Sequence, residues 1–519
     1  MNRNPSWLPL HVFHGSGLAQ PVSLATLAFL LLATGAVLAQ QASQPVDPSL
    51  YSAMRWRLIG PHREGCVTAV AGIPGDPATY YMITPGGGVW KTTSGGRVWT
   101  PTFDDERVAS IGAIAIAASD PNTLYVGTGE QSDGIGVYKS TDAGTTWTDA
   151  GLKDVRYISS MIVDSRDPNI VLVGALGHPI LGVSDPSPAR GVFKSTDGGK
   201  TWTKTLYRDD MAGVSDLCSD SGDPRVVYAA LLHPRDFRRG PVVAPTRPDA
   251  WIYKSTDEGS IWKQLAGTGL PTGPVDRVGL AVAPSDHGRR VFAIMGAGLF
   301  RSDEAGETWR KITNDPRVVG NGYIRRVYVD PRHADVVYVM QTSAYRSTDG
   351  GQNFDAYKGA PGGDDYHVMW IDPQNSKRMI LGVDQGATIS VDGGKTWTSW
   401  FTQPTGQFDH VTTDNQFPYY VYAAQQDSGT AAVPSRSDHG EVTYRDWFSI
   451  GGFEFCYIAP DPTSPNIVYS AGWYGSVVCF DKVTGQITHV FVHGDKYRTA
   501  PMPPLVFSPH DSRTPYLGM

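Results

Sequence analysis

One phrase occurs seven times between residues 88 and 400, and this repetition constrains the fold more than any other feature of the chain. The copies read GVWKTTSGGRVW, GVYKSTDAGTTW, GVFKSTDGGKTW, IYKSTDEGSIW, LFRSDEAGETW, AYRSTDGGQNF and TISVDGGKTW. The aromatic residues that close them, from Trp99 to Trp397, follow one another at intervals of 43 to 60 residues. Repeats of about 40 to 50 residues that contain short strands are typical of propeller blades.

Each repeat has the same internal order. It begins with a first strand, a polar turn of the SDPN type and a second strand. A variable loop, a third strand, the repeated turn and a fourth strand that starts with Thr-Trp then follow, as in residues 111–150. The first half of this pattern returns three times after residue 403, and residues 445–452 (RDWFSIGG) are expected to form the fourth strand of the first of these units. The sequence therefore predicts an all-β protein, a β-propeller of four-stranded antiparallel blades, with seven repeat-bearing blades and two to three further blade units.

The repeated turn itself has a structural explanation. Its Asp can accept hydrogen bonds from turn amides, its Gly can adopt positive φ, and its Trp can bury a ring between sheets. Ser94 and Glu304 take the Asp position in the first and fifth copies. The residues assigned to this scaffold role are Asp142, Trp147, Asp197, Trp202, Asp257, Trp262, Asp349, Asp392 and Trp397.

Four segments are expected along the chain. Residues 1–39 contain the apolar run Leu24–Leu38 and predict a signal peptide cleaved after Ala39, with an uncleaved anchor as the alternative. Residues 40–53 form a linker, and residues 54–402 form blades 1 to 7 with a stapling strand at residues 54–61. Residues 403–519 form units 8 to 10, either a second, incomplete propeller or a continuation of the ring. Because the last unit ends after its second strand, we favour truncation of a longer protein over imperfect closure.

Composition excludes some functions. The net charge is −7 and no long basic run occurs, so nucleic acid is not an expected partner. The four cysteines are few and lack zinc-site spacing, so neither a metal nor another cofactor is predicted. Apart from the N-terminal run, no segment is apolar enough to span a membrane. The expected location is the periplasm, the cell surface or the medium.

The S-x-D-x-G-x-T-W phrase resembles the Asp box, or BNR repeat, of sialidases, sortilin-type domains, tandem-propeller xyloglucan hydrolases and photosystem II assembly-factor propellers. Longer segments such as IGPHREG, YVGTGE, GALGHPILG and PTGQFDHVTTDNQFPYYVYAAQQDSG resemble large bacterial exported proteins of BNR-repeat, sortilin-N-terminal-like or glycosyl-hydrolase-like type. Cys66 departs from that pattern, in which an Arg is usual. The resemblance implies a propeller whose partner is an extracellular or periplasmic peptide, protein or glycan.

The ligand is expected on the face opposite the repeated turns. The loops between second and third strands and the connections between blades share that face, and they carry polar and aromatic residues. Such residues also tie down loops, which is the simpler explanation for each of them. The candidates for ligand binding are Arg156, Tyr157, His178, Arg208, Arg325, Tyr366, His367, Gln407, His410 and Gln426.

Hydrolysis is the alternative to binding. Glycosidases need two carboxyl groups about 5 to 10 Å apart, and the candidates are Glu130, Asp365, Asp384 and Asp427. Xyloglucan-type tandem propellers place an Asp before the Gly-Gly of such a loop in each propeller, whereas the first loop here has Pro85. Sialidase chemistry is disfavoured because Arg57, in RLIG, lies on the expected stapling strand. The main expectation is an exported propeller that binds a peptide, protein or glycan without catalysis, and the alternative is a glycoside hydrolase.

Overall fold

The computed structural model describes residues 47–55, 57–60, 62–63, 65–177, 186–233, 250–265, 269–271, 277–320, 324–360, 362–490 and 500–518. The chain divides into two compact units, residues 1–57 and 58–519. In the first unit, Pro48–Tyr51 forms a 3-10 helix whose first turn is capped by the Asp47 side chain. The predicted signal peptide lies outside the described residues. No helix within the described ranges has the length and apolar character that a membrane span requires.

The described part of the second unit contains ten antiparallel sheets, each built from strands that are consecutive in the chain. Sheets 1 to 3 contain, in order, β1 (Ala69–Gly72), β2 (Tyr80–Thr84), β3 (Gly88–Thr92) and β4 (Thr100–Pro101); β5 (Ile111–Ile116), β6 (Leu124–Thr128), β7 (Val137–Ser140) and β8 (Thr148–Asp149); and β9 (Ile158–Val163), β10 (Val171–Ala175), β11 (Gly191–Ser195) and β12 (Thr203–Leu206). Sheets 4 to 6 contain β13 (Gly213–Asp220), β14 (Asp223–Leu232), β15 (Ala250–Ser255) and β16 (Lys263–Gln264); β17 (Gly279–Val282), β18 (Val291–Met295), β19 (Gly298–Ser302) and β20 (Arg310–Thr313); and β21 (Arg326–Asp330), β22 (His333–Met340), β23 (Ala344–Ser347) and β24 (Asp355–Lys358).

The remaining four sheets have two to four strands. They contain β25 (Tyr366–Ile371), β26 (Met379–Val383) and β27 (Gly386–Ser390); β28 (Phe408–Thr413), β29 (Tyr420–Gln425) and β30 (Gly429–Pro434); β31 (Tyr457–Pro460), β32 (Ile467–Ala471), β33 (Val477–Asp481) and β34 (Ile487–Val490); and β35 (Leu505–Phe507) and β36 (Pro515–Leu517). Short helical turns occupy Pro284–Asp286, Pro316–Val319, Trp400–Thr402 and Trp473–Gly475. The prediction of an all-β propeller with antiparallel blades is confirmed.

The second strands show why the sheets stack side by side. β2, β6, β10, β18 and β26 are buried at every position, and their sequences are YYMIT, LYVGT, VLVGA, VFAIM and MILGV. A strand that is apolar on both faces must be covered on both faces. Neighbouring sheets provide that cover, as expected for a structure in which each repeat packs only on its neighbours.

Sheets 1 to 7 close into a ring. Tyr80 and Met82 of sheet 1 share a core with Ile380 and Ile389 of sheet 7. Immediately before β1, the Val67 amide donates a hydrogen bond of 3.0 Å to the carbonyl at the end of β26. The first strands of all seven sheets surround a central cavity of about 350 Å³.

Sheets 8 to 10 follow the ring as a row. Tyr422 and Ala432 of sheet 8 pack with Ile458 and Val468 of sheet 9. A smaller core joins sheet 9 to sheet 10 through Leu505. The chain thus adds three stacked sheets beyond the closed ring.

Three predicted strands differ in the structure. Met54, Arg55 and residues 57–60 lie in no strand, and residues 445–452 contribute only one isolated bridge, between Ala432 and Phe448. Residues 396–401, expected as the fourth strand of blade 7, leave the sheet after the Thr398 amide bonds to the Ile389 carbonyl. The Gln403 side chain then bonds both the amide and the carbonyl of Ala387, which replaces strand pairing at that edge.

The repeated turns share one hydrogen-bond pattern, which is shown by the third copy. Asp197 accepts the Ser195 hydroxyl at 2.8 Å, the Thr201 amide at 2.9 Å and the Thr201 hydroxyl at 2.6 Å. The Trp202 indole donates to the Ala150 carbonyl at 2.7 Å and so links sheet 3 to sheet 2. In every one of sheets 1 to 7, an amide of this turn also donates to a carbonyl in the turn between first and second strands or, in sheets 4 and 6, to a carbonyl near the start of the second strand. The repeated turns and those first turns therefore lie on the same face.

The turn carboxylates should make the fold sensitive to acid. Hydrogen bonds from a Thr four residues later hold the pKa of Asp142, Asp197 and Asp392 at about 2, whereas an unfolded Asp has a pKa of about 3.9. A folded pKa below the unfolded value gives stability that is present above about pH 4 and is lost as the pH falls towards about 2. We expect the urea midpoint of the protein to fall between these pH values. Replacing the three residues with Asn should lower the midpoint at pH 7 and flatten its pH dependence.

The matched control replaces three exposed aspartates outside the repeated turns, Asp104, Asp154 and Asp438, with Asn. An equal flattening in the control variant would contradict the assignment of this acid sensitivity to the repeated turns.

Ring closure should contribute strongly to stability. Ile380 is fully buried between sheets 7 and 1, whereas Ile261 is 75% exposed. Because truncation of a buried Ile leaves a cavity, Ile380→Ala should lower the free energy of unfolding by about 2 to 5 kcal/mol. The same change at Ile261 should alter it by no more than about 0.5 kcal/mol. Urea unfolding checks both, and equal effects of the two variants would argue against a packed closure.

Candidate functional site

Six side chains meet where the closed ring borders sheets 8 and 9, on the face opposite the repeated turns. Glu130 follows β6, Asp365 precedes β25, His367 lies in β25, and Asp384 follows β26. Asp427 lies in the turn between β29 and β30, and Glu454 lies in the connection between sheets 8 and 9. We call them the junction cluster, and its members are Glu130, Asp365, His367, Asp384, Asp427 and Glu454.

A β-bulge positions the histidine of this cluster. The register of β25 against β26 shifts between Tyr366 and Val368, which leaves His367 as the extra residue. Bulges re-aim side chains in this way. His367 Nε2 lies 2.6 Å from Oδ1 of Asp384, the residue that follows β26. The two strand ends therefore bring an imidazole and a carboxyl group into direct contact.

A thiol lies beside this pair. Cys66 Sγ lies 3.7 Å from His367 Nε2. The next residue, Val67, donates the backbone hydrogen bond that closes the ring. Burial raises the pKa of the Cys66 thiol well above its usual range, and the Asp384 charge raises it further. The four cysteines of the chain are free.

Asp427 lies at the centre of three carboxyl groups. It occupies a left-handed backbone conformation, with φ of 57°, in the turn between β29 and β30. Its amide donates to Glu454 Oε2 at 2.8 Å, and its own carboxyl group is within hydrogen-bonding reach of Asp384 and Glu454. Burial and then the charges of these two neighbours raise the pKa of Asp427 to about 8. These neighbours therefore favour the protonated form of Asp427.

Two further acids flank this centre. Burial raises the pKa of Glu130 and of Asp365, the Asp384 charge adds to both shifts, and His367 opposes them. The Glu130 amide donates to Ser110 Oγ at 3.0 Å. Its predecessor, Gly129, has φ of 88°, and a Cβ there would lie 1.8 Å from a backbone carbonyl oxygen. Only glycine fits where the chain turns into the cluster.

Arg63 fixes the turn that carries Asp427. Its buried guanidinium donates to the carbonyls of Ser428 and Thr430 and lies 4.7 Å from the ring centre of Trp447. Planar guanidinium groups suit such paired and stacked contacts. A residue that enters the first blade thus holds a turn of sheet 8 in place.

Charged groups continue from the cluster into the central cavity. Asp216 accepts the Leu280 amide at 2.9 Å and lies 3.7 Å from the Arg326 guanidinium. Burial raises the pKa of Asp216. Tyr157 is also buried, and its pKa rises to about 12 because of burial and the Glu130 charge. The lining of the central cavity therefore contains charged groups, and the charge of Glu130 in the junction cluster acts on Tyr157.

The predicted residues divide into two groups. The four candidate acids, Glu130, Asp365, Asp384 and Asp427, all belong to the junction cluster, as does His367. Tyr157 lies near the cluster. Gln407 and Gln426, the residue before Asp427, hydrogen-bond each other at 2.5 Å.

The other candidates for ligand binding lie apart from the cluster contacts. Arg208 stacks on Trp251 at 3.6 Å, and His410 stacks on Tyr457 at 3.7 Å. Two residues contact nearby backbone: buried Arg325 donates to the carbonyls of Val319 and Arg277, and the Tyr366 hydroxyl donates to the Gly362 carbonyl at 2.6 Å. Arg156 is exposed, and His178 lies outside the described residues.

Four residues near the cluster were not among the predicted site residues: Arg63, Cys66, Arg277 and Glu454. Glu454 lies in a connection between sheets, the class of segment that supplied other candidates, so its position was a usable signal. Arg63 occurs in IGPHREG, where only the resemblance drew attention to it. The contacts of Arg63 and Cys66 join residues more than 300 positions apart in the chain, which no local pattern shows.

Fold and site together define a class: a β-propeller protein with a cluster of carboxyl groups, from buried Asp384 to exposed Asp427, at the edge of its ring. No protein-family model matches the chain. Among curated relatives, a probable oligoxyloglucan-reducing end-specific xyloglucanase of Neosartorya fischeri is 22% identical over 324 residues, which cover 58% of this chain and 37% of the relative. A xyloglucanase of a Paenibacillus species is 26% identical over 375 residues, which cover 64% and 33%. The matched region thus spans about a third of each relative.

Solved structures of similar fold include two enzymes of family GH74. The Niastella koreensis GH74 enzyme has a TM-score of 0.60 at 16% identity, covering 87% of this chain and 70% of its own. The GH74 xyloglucanase of Xanthomonas campestris has a TM-score of 0.57 at 17% identity, covering 87% and 76%. At this level of identity the likeness concerns the fold, which is that of propeller glycoside hydrolases.

The comparisons correct one prediction. The curated relatives are xyloglucanases, which are hydrolases, so the expectation of a propeller that only binds its ligand is wrong. The glycoside hydrolase alternative agrees better with these relatives. Pro85 had counted against it, but the junction cluster supplies carboxyl groups from other sheets.

The Arg63 contacts predict a local effect on the site. Arg63→Ala removes a buried donor from two carbonyls, and each unsatisfied group costs about 1 to 3 kcal/mol. We expect amides of the 425–432 segment to exchange faster with deuterium, while the core strands of sheets 2 and 3 are unchanged. Arg445→Ala, at an exposed arginine in the region after β30, is the matched control. Unchanged exchange in Arg63→Ala would show that the turn is held by other contacts.

Proposed function

We propose that the protein is a glycoside hydrolase that cleaves xyloglucan or a closely related plant glucan, and that the junction cluster performs the reaction. The observation that carries this proposal is the contact between the carboxyl groups of Asp427 and Asp384 at the edge of the propeller ring. The names of the curated relatives supply the substrate class. The activity would lie outside the cytoplasm, where such polysaccharides occur.

Hydrolysis of a glycosidic bond needs an acid and a base with separate roles. One carboxyl group must be protonated to donate to the leaving oxygen, and the other must be ionised to activate water or attack the sugar. Enzymes obtain this difference from two environments that push the two pKa values apart. Two carboxyl groups in contact achieve it directly, because both cannot ionise at once.

We assign the acid to Asp427. Partial desolvation and its two carboxyl neighbours raise its pKa to about 8 and so favour its protonated form. It also precedes Ser428-Gly429 in a turn between the second and third strands of a sheet. Such a position resembles the one at which xyloglucan-type tandem propellers place an Asp. Arg63 acts as a positioning residue because it holds the carbonyls on the far side of this turn.

We assign the ionised partner to Asp384. His367 Nε2 contacts its Oδ1 at 2.6 Å and orients the carboxylate. Glu130 and Asp365 surround the pair with further negative charge, which suits a sugar that becomes positively charged in the transition state. The paired carboxyl groups are closer here than the 5 to 10 Å or so that glycosidases use. A bound saccharide would have to part them, with the scissile bond taking the space between.

Substitution at the two acids tests the assignment. Asp427→Asn keeps the shape of the side chain but removes the transferable proton, and general acid catalysis contributes about 100-fold to 10,000-fold. We therefore expect release of reducing ends from xyloglucan to fall by at least about 100-fold in Asp427→Asn and in Asp384→Asn. Thermal melting should show that both variants remain folded.

The matched control is Asp438→Asn, at an exposed residue after β30 in the same sheet. This variant should retain wild-type activity. Full activity in Asp427→Asn, or absence of xyloglucan cleavage by the wild-type protein, would overturn the proposed function.

A further inference from the structure

Three side chains with different ligand atoms converge at the ring closure. Cys66 Sγ, His367 Nε2 and one carboxylate oxygen of Asp384 all lie within 4.8 Å of one another. Cys66 and Asp384 are buried, and His367 is partly buried. The hydrolytic roles proposed above give the thiol of Cys66 no function. A buried thiol beside an imidazole and a carboxylate therefore needs its own explanation.

The ligand set suits a transition-metal ion of the zinc type. Zinc binds Cys sulfur at about 2.3 Å, His nitrogen at about 2.0 to 2.1 Å and carboxylate oxygen at about 2.0 to 2.2 Å. Tetrahedral angles at those bond lengths separate sulfur from nitrogen by about 3.5 Å and nitrogen from oxygen by about 3.3 Å. The first separation is 3.7 Å in the structure and the second is 2.6 Å. Of these two contacts, the one between His367 and Asp384 has to open, by about 0.7 Å.

The backbone holds these ligands on regular elements. His367 is the bulge residue of β25, and Asp384 follows β26. Cys66 precedes Val67, whose amide donates a hydrogen bond to the carbonyl at the end of β26. Sites on strands are more precise than sites on free loops. The charges of Asp384 and Glu130 also act on the Cys66 position, so the surroundings favour a cation.

We propose that Cys66, His367 and Asp384 bind one divalent transition-metal ion such as Zn²⁺, and that this ion inhibits hydrolysis by withdrawing Asp384 from its pair with Asp427. The inhibitory consequence rests on the proposed function, whereas the binding itself does not. Coordination converts the thiol to a thiolate and releases its proton to solvent. No electron is transferred, and no co-reactant is needed.

Cobalt is the probe for binding, because Co²⁺ adopts zinc sites and a thiolate ligand gives it an intense near-ultraviolet charge-transfer band. The reduced, chelator-treated protein should develop this band on titration with Co²⁺ and lose it when one equivalent of Zn²⁺ is added. Cys66→Ser should show no band. Cys218→Ser, which removes another free cysteine from the first strand of sheet 4, should behave like the wild type.

Calorimetry with Zn²⁺ gives the second readout. Loss of an outer contact to a metal ligand already costs about 10-fold to 100-fold in affinity, so loss of a ligand should cost at least about 100-fold. Cys66→Ser and His367→Gln should both show this loss, and thermal melting confirms that they fold. Absence of the cobalt band in the wild type, or equal zinc affinity in Cys66→Ser, would overturn the site.

Inhibition is measured separately on xyloglucan. Zn²⁺ should slow the wild-type enzyme, a chelator should restore its rate, and Cys66→Ser should be much less sensitive relative to its own rate without zinc. Zinc that binds with the cobalt signature but leaves hydrolysis unchanged would overturn the inhibitory role. A protein that binds zinc but never cleaves xyloglucan would overturn the proposed function and leave the metal site supported.

Discussion

Packing of sheet 1 on sheet 7 joins the two ends of the ring, and the positions of the other groups at the site depend on it. The hydrogen bond from Val67 to the end of β26 and the shared core around Ile380 fix the segment that enters the first blade. This segment carries Cys66 to His367, 301 residues away, and carries Arg63 to the turn that holds Asp427. Opening the ring would leave the contact between β25 and β26 intact but would release the thiol and the guanidinium. Closure of the ring therefore completes the hydrophobic core and also positions Cys66 and Arg63 at the proposed site.

The two faces of the propeller use aspartate in opposite ways. On the face of the repeated turns, hydrogen bonds from within the turn hold the pKa of Asp197 at about 2, so it remains ionised and stabilises a turn. At the junction cluster, Asp427 lies beside two other carboxyl groups, and partial desolvation together with their charges raises its pKa to about 8. The same side chain serves the scaffold in one environment and is the proposed proton donor in the other. Sequence spacing identifies the first kind of Asp because its partners lie within four residues.

Periodicity was sufficient to predict the blades, since a strand buried on both faces and a turn with local hydrogen bonds are recorded in short stretches of sequence. Mapping the strand ends also identified the four acids that the fold brings together. It did not identify Glu454 or Arg63, whose contacts join separate sheets. Two expected fourth strands were wrong because the Gln403 side chain replaces backbone pairing in sheet 7 and only one bridge forms in sheet 8. Pro85 counted against hydrolysis because it leaves the first loop without an acid, but sheets 7 and 8 supply carboxyl groups to the site.

The central claim is that a glycan is cleaved between Asp427 and Asp384 at the edge of the ring. A crystal structure of the Asp427→Asn protein with a xyloglucan oligosaccharide tests it most directly. The account predicts a glycosidic oxygen at a hydrogen-bonding distance of about 3 Å from residue 427, with Asp384 on the other side of the sugar. An oligosaccharide bound in the central cavity or on the face of the repeated turns, with residues 427 and 384 still in contact, would contradict it.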